Sequence, residues 1–206
     1  VAVSATFTDA GATDIHTCAV DWGDGETTTG SVDGLSCSAT HTYAQAGVYT
    51  VGVTVTDDAG DSDTATTLVV VYDPDGGFVT GGGWFESPVG AYKPAPELAG
   101  RATFGFVSKY KKGASVPTGN TQFQFKAGDL DFKSTEYEWM VVTGGKAANF
   151  KGSGTINGTG DYKFMIWTGD GTPDTLQIKI WSDNGVVYDN GARQPISGGS
   201  IVVHTK

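Results

Sequence analysis

Cys18-Ala-Val-Asp-Trp-Gly-Asp-Gly25 is the stretch whose reading decides the fold. Cys18, Val20 and Trp22 alternate with Ala19 and Asp21, the period of a strand with one face buried. Gly23-Asp24-Gly25 then supplies residues that tolerate positive φ and turn the chain back. A buried-face strand running into a tight turn predicts a β-sheet packed on that face.

The neighbouring segments read the same way. Val1–Thr8 alternates, Asp9–Asp14 is a turn, and Ile15–Trp22 is the opening strand of the quoted motif. Glu26–Ser31, Leu35–Tyr43, Val48–Thr56 and Thr64–Tyr72 follow, with turns at Asp33-Gly34 and at Asp57–Asp63. In Val48–Thr56 the residues Val51, Val53 and Val55 fall on one face. Six short strands with turns between them predict an immunoglobulin-like sandwich over residues 1–72.

Charge marks where this module ends. Residues 1–72 hold nine Asp and one Glu with no Lys or Arg, a net of −10. Residues 73–206 hold nine Asp and four Glu against thirteen Lys and Arg, a net of zero. The break predicts two modules, 1–72 and 78–206, joined by a short polar linker at 73–77. A cation-free first module argues against nucleic acid and anionic membrane surfaces, which are bound through Lys and Arg. No apolar run is long enough for a membrane span. The chain opens on Val1–Phe7, already strand-like and without a signal peptide, so a piece of a longer secreted or cell-surface protein is expected, with adjacent domains as partners.

Cys18 and Cys37 are the only cysteines. Cys18 shares parity with Val20 and Trp22, and Cys37 with Leu35, Ala39 and His41, so both sulfurs are expected to point inward. A disulfide across the sandwich is expected, with two buried thiols as the alternative. Their spacing excludes a Cys-x-x-Cys metal or redox motif.

Val20-Asp-Trp-Gly-Asp-Gly25, His41-Thr-Tyr43, Ala46-Gly-Val-Tyr-Thr-Val51 and Val55-Thr-Asp57 together resemble the PKD domain, an Ig-like module of bacterial secreted enzymes, surface proteins and some animal receptors. The resemblance covers residues 1–72 and implies a spacer, adhesion or substrate-proximal role without catalysis. PKD domains usually carry one more N-terminal strand than begins at Val1, which implies truncation or an edge completed by a neighbour.

Sandwich topology places the Asp9–Asp14 and Asp57–Asp63 turns at one end and Gly23-Asp24-Gly25 at the other. Asp9, Asp14, Asp57, Asp58, Asp61 and Asp63 thus form a candidate Ca²⁺ site of oxygen ligands, although Asp is also an ordinary turn former and no linear EF-hand loop is present. Tyr43 is expected to be a corner tyrosine whose hydroxyl reaches backbone. His16 and His41 have no nucleophile in a triad order beside them.

From Phe78 on, further alternating strands are separated by Gly- and Asn-rich turns, with no helix-period segment. Parity selects a core of Phe104, Phe106, Phe123, Phe125, Tyr137, Trp139, Val141, Phe164, Ile166, Leu176, Ile178 and Ile180. This predicts a larger antiparallel β-sandwich or barrel, making the whole chain all-β. Gly81-Gly-Gly-Trp-Phe-Glu-Ser-Pro-Val-Gly-Ala-Tyr92, Phe104–Lys112 and Phe123–Leu130 resemble a domain that recurs in bacterial extracellular proteins, often after PKD, HYR or choice-of-anchor-type sequences. That resemblance implies a secreted module and no particular chemistry.

Trp167 and Trp181 have the opposite parity from the core set. Indoles on a β-face stack sugar rings, so both are candidate ligand-binding residues, with burial under a loop or second layer as the alternative. Lys109, Lys111 and Lys112 form a small basic patch around Tyr110. No Gly-x-Ser-x-Gly, His-Glu-x-x-His, phosphate loop or dinucleotide glycine pattern occurs, and Glu136 and Glu138 read as the polar side of a strand. The expected function is a non-catalytic extracellular accessory or adhesion fragment whose second module presents a surface to polysaccharide or an extracellular protein. A purely structural stalk and, third, a glycan-active enzyme are the alternatives.

Overall fold

The computed structural model describes residues 1–11 and 14–205. It divides into two compact units, Val1–Val71 and Tyr72–Lys206. The described secondary structure is all-β apart from one short 3-10 turn at Lys126–Gly128.

Unit 1 comprises β1 (Ala2–Thr6), β2 (Thr17–Asp21), β3 (Thr27–Thr29), β4 (Ser31–Asp33), β5 (Ser36–Thr40), β6 (Gly47–Thr56) and β7 (Ser62–Val71). The strands form two antiparallel sheets, ordered β3-β2-β6-β7 and β1-β5-β4. Val20, Trp22, Val51 and Val53 of the first sheet fill the core against Cys37 of the second. Cys18 on β2 is joined to Cys37 on β5 by a disulfide that ties the two sheets together. The strand expected over Glu26–Ser31 ends at Thr29 as β3, which pairs with β2, and Ser31 instead opens β4, which runs on to Asp33 and pairs with β5. The switch falls at Gly30, whose N–H donates to Cys18 O and where a Cβ would run into the Cys18 sulfur. Only glycine lets the backbone pass that close to the bridge. Trp22 is completely buried, and its indole N–H donates to Thr28 Oγ1. The Tyr43 hydroxyl donates to Trp22 O, the backbone anchor expected of a corner tyrosine.

Unit 2 comprises β8 (Phe78–Ser87), β9 (Gly100–Lys109), β10 (Thr118–Phe125), β11 (Leu130–Thr143), β12 (Ala147–Ile156), β13 (Thr159–Gly169), β14 (Thr175–Ser182), β15 (Gly185–Asp189), β16 (Gln194–Pro195) and β17 (Gly198–His204). They build one antiparallel sheet in the order β15-β14-β13-β12-β11-β10-β9-β8-β17, with β16 added beside β14. The inner face carries a single aromatic-rich core, and Phe123 on β10 packs against Tyr188 on β15, five strands away along the sheet. The sheet is therefore curled round on itself. Tyr188 is fully buried and its hydroxyl donates to Ser87 Oγ; burial raises its pKa well above the ordinary tyrosine value.

Curling brings the two free edges to a seam. Backbone N–H groups on the open edge of β17 donate to carboxylates: Ile201 to Asp174 Oδ2 and Val203 to Asp170 Oδ2, both at 2.8 Å. The open edge of β15 is covered by the loop after β8, with Asp189 N–H donating to Ala91 O and Lys93 N–H to Val187 O. Both edges are thus blocked against pairing with another chain.

The core expected from parity holds for ten of its twelve members and fails at Trp139 and Val141. Register shifts fall between Ser134 and Glu136 and between Tyr137 and Trp139. The second shift leaves Glu138 as an extra residue, so the strand turns over: Tyr137 and Met140 face the core, while Trp139 and Val141 take the outer side.

Candidate functional site

In unit 1, the ends of β1 and of the β6–β7 hairpin enclose an open cleft of about 530 Å³ that includes Asp9, Asp57, Asp61 and Asp63. The carboxylates of Asp9, Asp57 and Asp63 are engaged locally. Asp9 bonds His16 Nε2 and accepts the Gly11 N–H, Asp57 accepts the Asp61 N–H, and Asp63 accepts the Thr64 N–H. Asp14 lies against Gly11, and Asp58 is exposed on the turn. Among the described residues, no three His, Cys, Asp or Glu side chains converge as a group able to hold a metal ion.

The Gly23-Asp24-Gly25 turn lies at the other end of β2, where Asp21 pairs with Gly52, whereas Thr17 pairs with Thr56 beside the acidic turn. There the Asp24 carboxylate bonds His41 Nε2 at 2.7 Å, and the His41 ring stacks on Trp22. The hydrogen bond from His41 is the main cause of a lowered Asp24 pKa; Asp9 is lowered first by the Gly11 N–H and then by His16. A carboxylate whose pKa is depressed by folding stabilises the fold above its unfolded value near 4, and that stability is lost as pH falls through the folded value. Unit 1 is therefore expected to melt progressively lower as pH falls below about 4. Asp24→Asn should flatten that dependence in thermal melts; an identical slope in the variant would remove Asp24 from this account.

In unit 2, the outer sides of β11 to β14 carry the indole candidates. Cross-strand register sets Trp139 opposite Lys151, Lys151 opposite Met165, and Met165 opposite Lys179. The next row runs Val141, Asn149, Trp167 and Gln177, and Trp181 stands opposite Lys163. Trp167 and Trp181 are half-buried and lie four residues apart along their strands, about 13 Å, so they are not a touching pair. Trp139 joins them on this side because of the Glu138 bulge. Val141 is fully buried and Met165 nearly so, although neither belongs to the inner core. The Asn149 Oδ1 atom, in the Trp167 row, is buried with no hydrogen-bond partner among the described residues.

The lysines of this surface are neutralised in place. Glu138 accepts from Lys151 at 2.7 Å and lies 3.6 Å from Lys163, while Lys179 is 3.9 Å from Asp189 and 5.9 Å from the Trp181 ring centre. Glu138 is thus held between two cations, while Glu136 is exposed. Elsewhere, Tyr110 of the basic patch directs its hydroxyl into β11, donating to Met140 O and accepting from Met140 N–H. Its ring stacks on Tyr72, and Lys111 and Lys112 flank them at a second open cleft.

Two facing sheets, an inter-sheet disulfide and a corner tyrosine define unit 1 as an Ig-like sandwich. Residues 1–71 match the PKD domain family. A PKD domain is an extracellular adhesion or accessory module, typically non-catalytic, and the disulfide fits an extracellular location. No curated protein and no solved structure matches the chain. No helix among the described residues is long and apolar enough to cross a membrane.

Proposed function

We propose that the chain is a non-catalytic accessory or adhesion segment of a larger bacterial extracellular protein. Unit 1 acts as a spacer, and unit 2 presents the outer side of β11–β14 to polysaccharide. The observation that carries this reading is the set of three indoles, Trp139, Trp167 and Trp181, on one side of adjacent strands of a single sheet. Indoles offer apolar faces to sugar C–H groups, and strands hold them rigidly enough to limit the entropy lost on binding.

The test is retention of the chain on insoluble glycans. Trp167→Ala and Trp181→Ala are each expected to weaken retention by about tenfold while unit 2 still unfolds in one cooperative transition above the assay temperature. Absence of binding across a panel of glycans and matrix proteins would overturn this reading in favour of the structural stalk. Turnover of a glycan that is abolished by Glu136→Gln would make the chain an enzyme.

A further inference from the structure

A second, separate surface of unit 2 carries an arginine prepared for an anion. Trp84 on β8 lies over the backbone of Gly198 on β17, where a Cβ would meet the indole nitrogen. The Arg101 guanidinium, from β9, covers the indole at 4.3 Å from its centre. The stack holds a side chain that would otherwise sample many rotamers, and a flat guanidinium presents paired N–H donors. Arg101 is exposed, and among the described residues it makes no ion pair. Glu86 is its cross-strand partner in register, yet the two carry no salt bridge.

The row beside this stack, about 7 Å further along the strands, leaves backbone within reach. It runs Ser200, Gly82, Gly105 and Gln122 across β17, β8, β9 and β10. A Cβ on Gly105 would meet nothing within 4 Å, and one on Gly82 only ordinary contact with Phe104 O at 3.8 Å, so packing does not demand either glycine. Neither has the positive φ that would require glycine. The inward neighbours differ: a Cβ at Gly81 would strike the Phe106 ring, and one at Gly83 the Gly198 carbonyl. Thr103, opposite Trp84, adds a polar side chain beside the stack, and exposed Gln122 adds one at the end of the glycine row.

We propose that the outer side of β8 and β9 around Arg101 and Trp84 binds a carboxylate-bearing glycan. One uronate carboxylate takes the two parallel N–H groups of Arg101, and the sugar chain runs over the open backbone of Gly82 and Gly105. Carboxylate rather than neutral sugar follows from the unpaired, fixed guanidinium; the lysines of the indole surface, by contrast, already have acidic partners. This site does not depend on Trp167 or Trp181.

The experiment is calorimetric titration of the full chain with oligogalacturonate, and with the same oligomer methyl-esterified. Binding of the free acid is expected, weakening as salt rises, with about tenfold or greater loss on esterification and in Arg101→Gln. Gly105→Thr should lose binding by a similar factor while unit 2 melts no lower than before, because a β-branched residue suits an open strand position. Trp167→Ala should leave oligogalacturonate binding unchanged, which separates this site from the indole surface. No binding of the free acid, equal binding of the ester, or full affinity in Arg101→Gln would each overturn the proposal. A Gly105→Thr variant that keeps its affinity would remove the backbone row from it.

Discussion

Replacing both Cys18 and Cys37 by alanine is expected to lower the melting temperature of unit 1 by roughly 12–24 °C. The two cysteines are 19 residues apart, so the chain-entropy argument puts the bridge at about 3 kcal/mol. A domain of this length has a total stability of only a few to about ten kcal/mol, so the loss is a large fraction of it. Little else compensates, because among the described residues the buried core around the sulfurs is small, made of Val20, Trp22, Val51 and Val53. Differential scanning calorimetry with and without reductant measures the effect. Hydrogen exchange on β2 and β6 assigns it to unit 1, with β8–β17 unaffected. A fall of less than about 4 °C would mean that the sheets are held together by packing rather than by the bridge.

Asp174→Ala is the second large effect, expected to destabilise unit 2 by about 3 kcal/mol or more. One carboxylate serves two backbone donors: Oδ2 takes Ile201 N–H, and Oδ1 takes Gly171 N–H. Hydrogen bonds to a charged acceptor contribute about 1.5–3 kcal/mol each, and alanine would leave Ile201 N–H, on a nearly fully buried residue, without a partner. Asp174→Asn retains an acceptor oxygen and should lose less. Urea unfolding gives the magnitude, and amide exchange at Ile201 and Val203 locates it. If exchange there stays slow in Asp174→Ala, the seam is not held by this side chain.

The strand pattern was legible because alternation is a local property. Val51, Val53 and Val55, or Leu176, Ile178 and Ile180, declare their inward side without reference to any neighbour. What alternation cannot show is a bulge. The extra residue at Glu138 changes no composition and no spacing that would announce itself, yet it exchanges the two sides of the strand beyond it and turns Trp139 outward. The same limit applies at Gly30, where a single glycine moves the chain from one sheet to the other, and no residue pattern separates Thr27–Thr29 from Ser31–Asp33.

The candidate sites divide along similar lines. Opposite parity was enough to place Trp167 and Trp181 on the outer surface, but their separation depends on the β13–β14 register, a long-range property. The acidic turns were expected at one end of unit 1, and four of the six aspartates reach the cleft there. Local backbone N–H groups and His16, rather than one another, take up Asp9, Asp57 and Asp63. Arg101 carried no sequence signal, since its stacking partner is seventeen positions earlier and the glycine beneath that partner lies on the last strand. Asp170 and Asp174 resembled ordinary turn aspartates until the curl of the sheet brought β17 beside them.

The pairing of Phe78 with His204, whose rings stack at 4.1 Å, has a mechanical consequence. The first residue of β8 and the last of β17 are neighbours on adjacent antiparallel strands, so tension applied through the two ends of unit 2 acts across that pair. Such a load peels β17 from β8 one hydrogen bond at a time, beginning at His204, instead of shearing many bonds together. Unit 2 is thereby poorly suited to transmit force between its two ends. Under tension it would yield at a lower force than a domain whose terminal strands are pulled from opposite ends.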